Sequence, residues 1–516
     1  MPVMTLSEIE TVCRSALLSA GASVEQADIV AAEIADAEAE GIRNVGLGYM
    51  HLYLKHLKVG KVKPGASPKV VKTSSSSTVI DADFGFCHHA YLLGESRLIE
   101  TTRDQGVGLM SIHQSSSAGV LGWFVRRLAK EGLVSLMFAN SSKAVAAHGG
   151  KVPFFGTNPF AFGAPRANDE PLVVDMATAS TARVNLVKAA AEGREIEPGH
   201  AIDSQGIPTT DPAAGLKGAQ LPFGGPKGFG LGYMHLYLKH LKVGKVKPGA
   251  SPKVVKTSSS STVIDADFGF CHHAYLLGES RLIETTRDQG VGLMSIHQSS
   301  SAGVLGWFVR RLAKEGLVSL MFANSSKAVA AHGGKVPFFG TNPFAFGAPR
   351  TKDEPLVVDM ATASTARVNL VKAAAEGREI EPGHAIDSEG IPTTDPAAGL
   401  KGAQLPVGGP KGFGLGLMVD VLGGVLTGSN CSYEASMFAT TEGGPPNVGQ
   451  TIIAMDPAFF AEGFVTHLES MLGELTEGND VRVPGARRAE LRRIHEEKGV
   501  DVPDSLLAQI AELSAV

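Results

Sequence analysis

The chain has 516 residues, 43% of them hydrophobic and 19% charged, with a formal net charge of −5, which fits a globular protein with ample material for a core. Mild acidity without a basic run argues against a nucleic-acid or membrane-surface partner, and no apolar stretch reaches transmembrane length. The four cysteines form no Cys-x-x-Cys pair and the N-terminus lacks the apolar run of a secretion signal, so the expected compartment is the reducing cytoplasm.

Taken in chain order, Thr5-x-x-Glu8 is a capping box that opens a helix to about Ala20, and Ser23-x-x-Gln26 opens a second that ends at Gly41. Helical spacing returns over residues 49–59, followed by Pro64 and a polar loop at 74–77. Short β-rich runs follow at 78–82, 108–112, 133–138 and 172–174. Between them, 90–105 and 119–130 have helical spacing, and the alternation predicts an α/β architecture.

From Gly46 the chain reads GLGYMHLYLKHLKVGKVKPGASPK, and 184 residues later, from Gly230, it reads the same again. The match runs to Phe229 and Phe413 and differs at four positions: Ala167/Thr351, Asn168/Lys352, Gln205/Glu389 and Phe223/Val407. Gly-Leu-Gly-x-Met stands at both seams, as an unequal crossover would leave it; an error of gene assembly is the alternative. Four segments result: an N-terminal helical part (1–45), two copies of an α/β block (46–229 and 230–413) and a C-terminal part (414–516). In the last, 414–426 reads as a helix, 451–455 as a strand, and 487–498 and 504–515 as amphipathic helices. The tail is continuous with the second copy. Loop closure costs grow only logarithmically with length, so entropy favours that copy as its partner only mildly. The first copy, without a tail, must leave apolar faces exposed, pair with the second copy as an internal pseudo-dimer, or aggregate.

Gly228-Phe-Gly230-Leu-Gly232 follows a proline- and glycine-rich stretch rather than a strand, and its third glycine is misplaced for a Rossmann fingerprint. Gly-Gly-Pro-Lys-Gly ahead of a helix is more telling. Free N–H groups at a helix start beside Lys227 or Lys411 suit a phosphate or carboxylate; the alternative is a glycine-rich turn with a solvated lysine.

Several segments together resemble the malate/L-lactate dehydrogenase family of non-Rossmann oxidoreductases. They are GGKVPFFGTNPFAFGAP (149–165), PLVVDMAT (171–178), GHAIDSQGIPTTDP (199–212) and LPFGGPKGFGLG (221–232), each with its second copy. LMVDVLGGVLTG (417–428), IIAMDPAFF (452–460) and VRVPGARRAELRRIHEEKGV (481–500) continue the family's order. The resemblance implies an α/β, malate/L-lactate dehydrogenase-like fold with the cofactor-domain block duplicated, and usually a homodimer. It implies NAD or NADP held at Thr341, Asn342, Asp359, Met360, Ala361, Pro484 and Gly485, with Arg488 forking onto a phosphate. In the first copy the matching positions are Thr157, Asp175, Met176 and Ala177. The expected reaction is oxidation or reduction of a small 2-hydroxy/2-oxo acid or a cyclic imino acid.

Such chemistry needs a base for the hydroxyl proton, a cation for the carboxylate and a nicotinamide for the hydride. The family's Ser-His-Gly and nearby arginine are replaced here by Asn44-Val45-Gly46 and Tyr49. Candidate substitutes are His113 and His297 at a strand end, with Lys411 or Lys227 as the cation. His51 and His235 on a helical face read as structural or surface residues. The His88-His89 pair lacks a carboxylate at metal-ligand spacing, so no metal is expected. The second reading is a cofactor-binding pseudoenzyme that keeps the fold without turnover.

Overall fold

In the computed structural model the chain divides near the end of the first block: Met1–Pro222 form one unit and Phe223–Val516 another. The structure describes residues 3–42, 46–167, 169–181, 183–220, 234–351, 354–477, 481–498, 500, 502 and 504–514. Asn44, Val45, Lys227 and the Gly228–Gly232 run lie outside them, as do the side chains of His235 and Arg488.

The first unit opens with α1 (Leu6–Ser19) and α2 (Val24–Ala39). Their caps are the predicted ones. Thr5 and Glu8 exchange backbone and side-chain bonds, and the Ser23 hydroxyl accepts from the Gln26 N–H at 3.2 Å. The apolar stripe Ile9, Cys13, Leu17 packs on Val30 and Ile34 and on Tyr53 and Leu57 of α3 (Leu47–Lys58). The repeated block continues with β1 (Lys69–Thr73), β2 (Ser77–Asp81), α4 (Cys87–Gln105) and β3 (Leu109–His113). After it come α5 (Leu121–Lys130), β4 (Ser135–Phe138), β5 (Phe160–Ala164) and β6 (Leu172–Met176). These strands make two separate three-stranded sheets, β1-β2-β3 and β4-β5-β6. Strand β1 was not foreseen: its five residues are all exposed, and an edge strand wet on both faces shows no alternation to detect.

The second unit repeats the block as α6 (Met234–Lys242), β7 (Lys253–Thr257), β8 (Ser261–Asp265), α7 (Cys271–Gln289), β9 (Val291–Ser299) and α8 (Leu305–Lys314). Then follow β10 (Val318–Ala323), β11 (Phe344–Ala348) and β12 (Leu356–Met360). The tail adds α9 (Pro410–Asp420), β13 (Val448–Met455), α10 (Phe464–Thr476), α11 (Ala486–Lys498) and α12 (Asp504–Ser514). Here the strands form one seven-stranded sheet in the order β7-β8-β9-β13-β10-β11-β12. Strand β13 is its middle member, antiparallel to both neighbours, with Ile453 opposite Leu293 on one side and Leu320 on the other. Its Ile452 and Ala454 join Tyr275, Phe308, Met294 and Met321 in the main core. Helix α9 begins four residues before the expected 414, because Pro410 at its first turn has no N–H to leave unpaired. It runs into a π-type turn over Val421–Val425.

Each unit also carries a small five-stranded sheet made of two- and three-residue strands, Val145–Ala146 to Ala219–Gln220 in the first and Val329–Ala330 to Ala403–Gln404 in the second.

Candidate functional site

The pairings of the seven-stranded sheet make β8, β9, β10 and β12 parallel to one another, with β11 and β13 running against them. Their carboxyl ends therefore share one edge, where His297, Ser325 and Met360 fall.

The Gly340-Thr341-Asn342-Pro343 turn leads into β11 at this edge. A side chain on Gly340 would meet the Ser325 carbonyl at 2.2 Å, so only glycine lets the turn close on Ser325. The Thr341 carbonyl accepts from the Thr362 N–H at 2.9 Å and from its hydroxyl at 3.1 Å. This ties the turn to the segment leaving β12, where Met360 and Ala361 are half-buried. Asn342 is fully buried at φ 34°. Its Oδ1 accepts from the Ser325 N–H and the Ser432 hydroxyl, and its amide donates to the Gly416 carbonyl at 2.9 Å. Asn342 thus positions the turn against α9, and its side chain is spent on protein groups. The Asp359 carboxylate accepts from the Gly306 N–H at 2.9 Å, capping α8. Gly485 at φ 90° rests on the backbone of β12, where a side chain would lie 3.2 Å from the Val357 carbonyl. Pro484 precedes it, and Arg488 lies on α11 just beyond.

The start of α9 closes the group. Gly408 and Gly409 both hold φ 62°, and the Val407 N–H donates to the Thr362 carbonyl at 2.9 Å. Lys411 stands in the first turn, half-buried, and burial holds its ammonium below the usual lysine range. His332 lies against this turn: its ring is 3.7 Å from where a side chain on Gly409 would begin. The sequence reading missed His332, although it stands immediately before the glycine pair that opens the quoted 149–165 pattern in its second copy. Also missed was a buried tie beneath the turn. The Asp420 carboxylate accepts from the Ser432 hydroxyl at 2.7 Å and the Asn324 amide at 3.2 Å, and Asn324 in turn accepts from the Gly449 N–H of β13 at 3.0 Å. Burial raises the Asp420 carboxyl above the usual range. An aspartate inside an apolar helix and a lone asparagine carry no pattern until the tail and block are folded together.

Thr341, Asn342, Asp359, Met360, Ala361 and Lys411 are therefore gathered about the carboxyl end of β12, whereas Gly485, with Pro484 before it, rests on Val357 near the strand's start. His297 is not among them. It sits half-buried on β9, four strands from β12 and so about 19 Å away at ordinary strand spacing. In the first unit, Thr157 repeats its local bonds, its carbonyl accepting from the Thr178 N–H at 2.8 Å. Asp175 likewise caps α5 through the Gly122 N–H at 2.7 Å, next to Met176 and Ala177 on β6's end. Asn158, though, is only half-buried, and His113 is exposed at the end of β3. Among the described residues no cluster of histidine, cysteine, aspartate and glutamate could hold a metal.

The sequence model of the malate/L-lactate dehydrogenase family matches the chain twice, over residues 4–235 and 230–511. A (2R)-3-sulfolactate dehydrogenase (NADP+) of Chromohalobacter salexigens is 39% identical over 281 residues, 54% of this chain and 84% of the relative. A Δ1-pyrroline-2-carboxylate reductase of Burkholderia ambifaria is 38% identical, covering 54% and 82%. Among solved structures, sulfolactate dehydrogenase from Methanocaldococcus jannaschii superposes with a TM-score of 0.50 at 30% identity, over 55% of this chain and 84% of its own. A dehydrogenase from Sinorhizobium meliloti gives 0.52 at 27% identity, over 55% and 85%.

Proposed function

The chain belongs to the malate/L-lactate dehydrogenase family, and from that premise we propose a nicotinamide-dependent reaction centred on the β12–α9 site of the second unit. The protein is an NAD(P)-dependent oxidoreductase of a small 2-hydroxy/2-oxo acid or a cyclic imino acid. The observation that carries the site is the convergence of the Thr341 turn, the carboxyl end of β12 and the start of α9, with Gly485 resting farther back along the same strand. The donor set suits the cofactor. Half-open backbone at a strand end, a glycine resting on that strand and a helix start flanked by lysine offer N–H groups and positive charge to phosphates and carboxylates. Thr341, Met360, Ala361 and Gly485 would hold the dinucleotide, which when bound supplies or accepts the hydride.

The chain's own residues divide the remaining work. Lys411 and the N–H groups of α9 hold the substrate carboxylate, and the lowered lysine is a compact point charge rather than a bidentate fork. His332 replaces His297 as the proton carrier, because it lies against the same turn whereas His297 does not. The substrate class follows the relatives, one of which is named for a sulfolactate and another for a pyrroline carboxylate. Action in the cytoplasm as a homodimer belongs to the same reading. The compartment is supported by four free thiols, and the homodimer by the family alone; no helix among the described residues is long and apolar enough to cross a membrane.

The test is oxidation of NADPH and NADH against pyruvate, oxaloacetate, the 2-oxo form of sulfolactate, and pyrroline and piperideine carboxylates. Turnover on at least one is expected. His332→Ala should lower kcat by about 10²-fold, within the usual range for a general acid–base group, with the thermal shift by cofactor intact. Lys411→Ala should chiefly raise KM. Cofactor binding without turnover on any compound supports the pseudoenzyme, and no thermal shift with either cofactor at millimolar concentration sinks both readings.

A further inference from the structure

The first unit contains the walls and floor of a strand-binding slot. In the second unit, β13 lies between β9 and β10, and its Ile452 and Ala454 settle on an aromatic floor of Tyr275 and Phe308. The first unit has the same floor in Tyr91 and Phe124, rings 4.8 Å apart. Met110 and Ile112 of β3 and Met137 of β4 pack against that floor from either side. Yet β3 and β4 belong to different sheets, and among the described residues no strand pairs with the inner edge of either. The consequence shows in exposure. Met294, Ile296 and Met321 of the second unit are fully buried, whereas Met110, Ile112 and Met137 are not. Phe138 is 60% exposed and its counterpart Phe322 2%. An unpaired strand edge offers a row of backbone donors and acceptors that a matching strand will take.

We propose that this slot binds the Val448–Met455 strand of a second copy of the chain. The occupant is specified by the walls. LMSIH and SLMF, which grip β13 in the second unit, line the slot residue for residue. The register follows: Ser111 takes the place of Ser295 opposite Thr451, and Met110 that of Met294 opposite Ile452. The strand itself is uncharged and almost wholly buried, as a middle strand covered on both faces must be. Each chain has two such slots and one strand, so binding in trans moves the strand from a second unit to a first unit that already holds α1 and α2. Head, block and tail then meet on one block, a set that no unit of the single chain contains.

Two singly substituted chains, Ser111→Cys and Thr451→Cys, both with Cys431→Ser to remove the half-exposed thiol, test it when mixed and oxidised. A disulfide-linked species of twice the chain mass is expected, at least tenfold above Ser111→Cys mixed with a chain unsubstituted at Thr451. Excess synthetic peptide of residues 446–456 should abolish it. A labelled form of that peptide should bind the full chain at one per chain, and Met137→Lys, which leaves the second unit's Met321 in place, should remove binding. Absence of the cross-link while the peptide binds overturns the second copy as occupant, and absence of both overturns the slot.

Discussion

Phe138 and Phe322 are the same residue of a repeated block, as are Lys61 and Lys245, and in each pair one is exposed and the other buried. Between the two copies the strands and helices recur with nearly the same bounds. What differs is the company. The first copy has α1 and α2, so Tyr53, His88 and Trp123 are buried, while Tyr237, His272 and Trp307 are only partly so. The second copy has the tail, so β9 runs on to Ser299, where it meets Val448, while β3 stops at His113. Local sequence decides which segments become strands, and a distant segment decides whether those strands become one sheet or two.

Deleting residues 46–229 tests that comparison most severely. It joins Val45 to Gly230 and gives one block both its head and its tail. The full chain should unfold in two calorimetric steps, one for each unit. The 332-residue chain should unfold in one, remain soluble and bind cofactor. Relative to the first unit it should be more stable by roughly 5 kcal/mol, the scale of burying Phe138 and the half-open faces of β3 and β4 at about 1.5–3 kcal/mol per large side chain. Two steps from the shortened chain, or its insolubility while the full chain folds, make the repeat integral to the structure.

The elements that the sequence discloses are those with a strong local signature. Thr5 and Ser23 mark helix starts because a cap acts within one turn, whereas the helix expected from 414 starts at Pro410. The repeat itself, and the order of the glycine-rich and Asp-Met-Ala segments, point to the family and hence to the β12 end. The bond network is invisible at that level. Asn342 belongs to a cofactor-type pattern but is spent on Gly416 and Ser432, 74 and 90 residues away. His297 reads as well placed because it ends a strand, and only the strand order separates it from Asp359. His332 becomes notable only when Gly409, far along the chain, is folded against it.

A middle-sized effect separates the two lysines. The Lys245 ammonium is buried and donates to the carbonyls of Met437, Thr440 and Glu442 at 2.7–2.9 Å, holding a tail loop that the first unit lacks. Lys245→Ala leaves three carbonyls without their donor and should cost the second unit about 3 kcal/mol. Lys61→Ala, at an exposed position, should stay within about 0.5 kcal/mol. Urea unfolding followed by Trp307 and Trp123, one in each unit, reads the two effects separately. Equal losses would mean that the loop is not held by this ammonium.

The smallest effect is a difference in pH dependence, and it belongs to the head. The Glu33 side chain of α2 is fully buried. Its Oε1 accepts from the Val120 N–H at 2.9 Å, and its other oxygen lies 4.0 Å from His88. Burial pushes the Glu33 carboxyl up to about 8 and the buried His88 imidazole down to about 3. The pair is therefore neutral on both sides at mid pH. Between about 4.5 and 6.5 the folded state holds one proton, on Glu33, and the unfolded state holds one, on His88, so stability is flat. From 6.5 to 8 the unfolded chain holds none while the folded unit still keeps its proton. Stability must then fall with rising pH, at about 1.4 kcal/mol per unit and so by roughly 2 kcal/mol in all. Below 4.5 the unfolded state binds both protons and stability falls again toward pH 3. The second unit has the imidazole, His272, without a Glu33 and should show no alkaline fall of this kind. In a Trp307→Phe chain, which reports the first unit alone, urea midpoints from pH 5 to 9 should decline above 6.5. Glu33→Gln keeps the acceptor for Val120 and has no proton to lose, so its midpoints should rise from pH 5 to 6.5, as the unfolded chain's His88 gives up its proton, and stay level above 6.5; a decline above 6.5 as steep as in the parent would show that another group titrates.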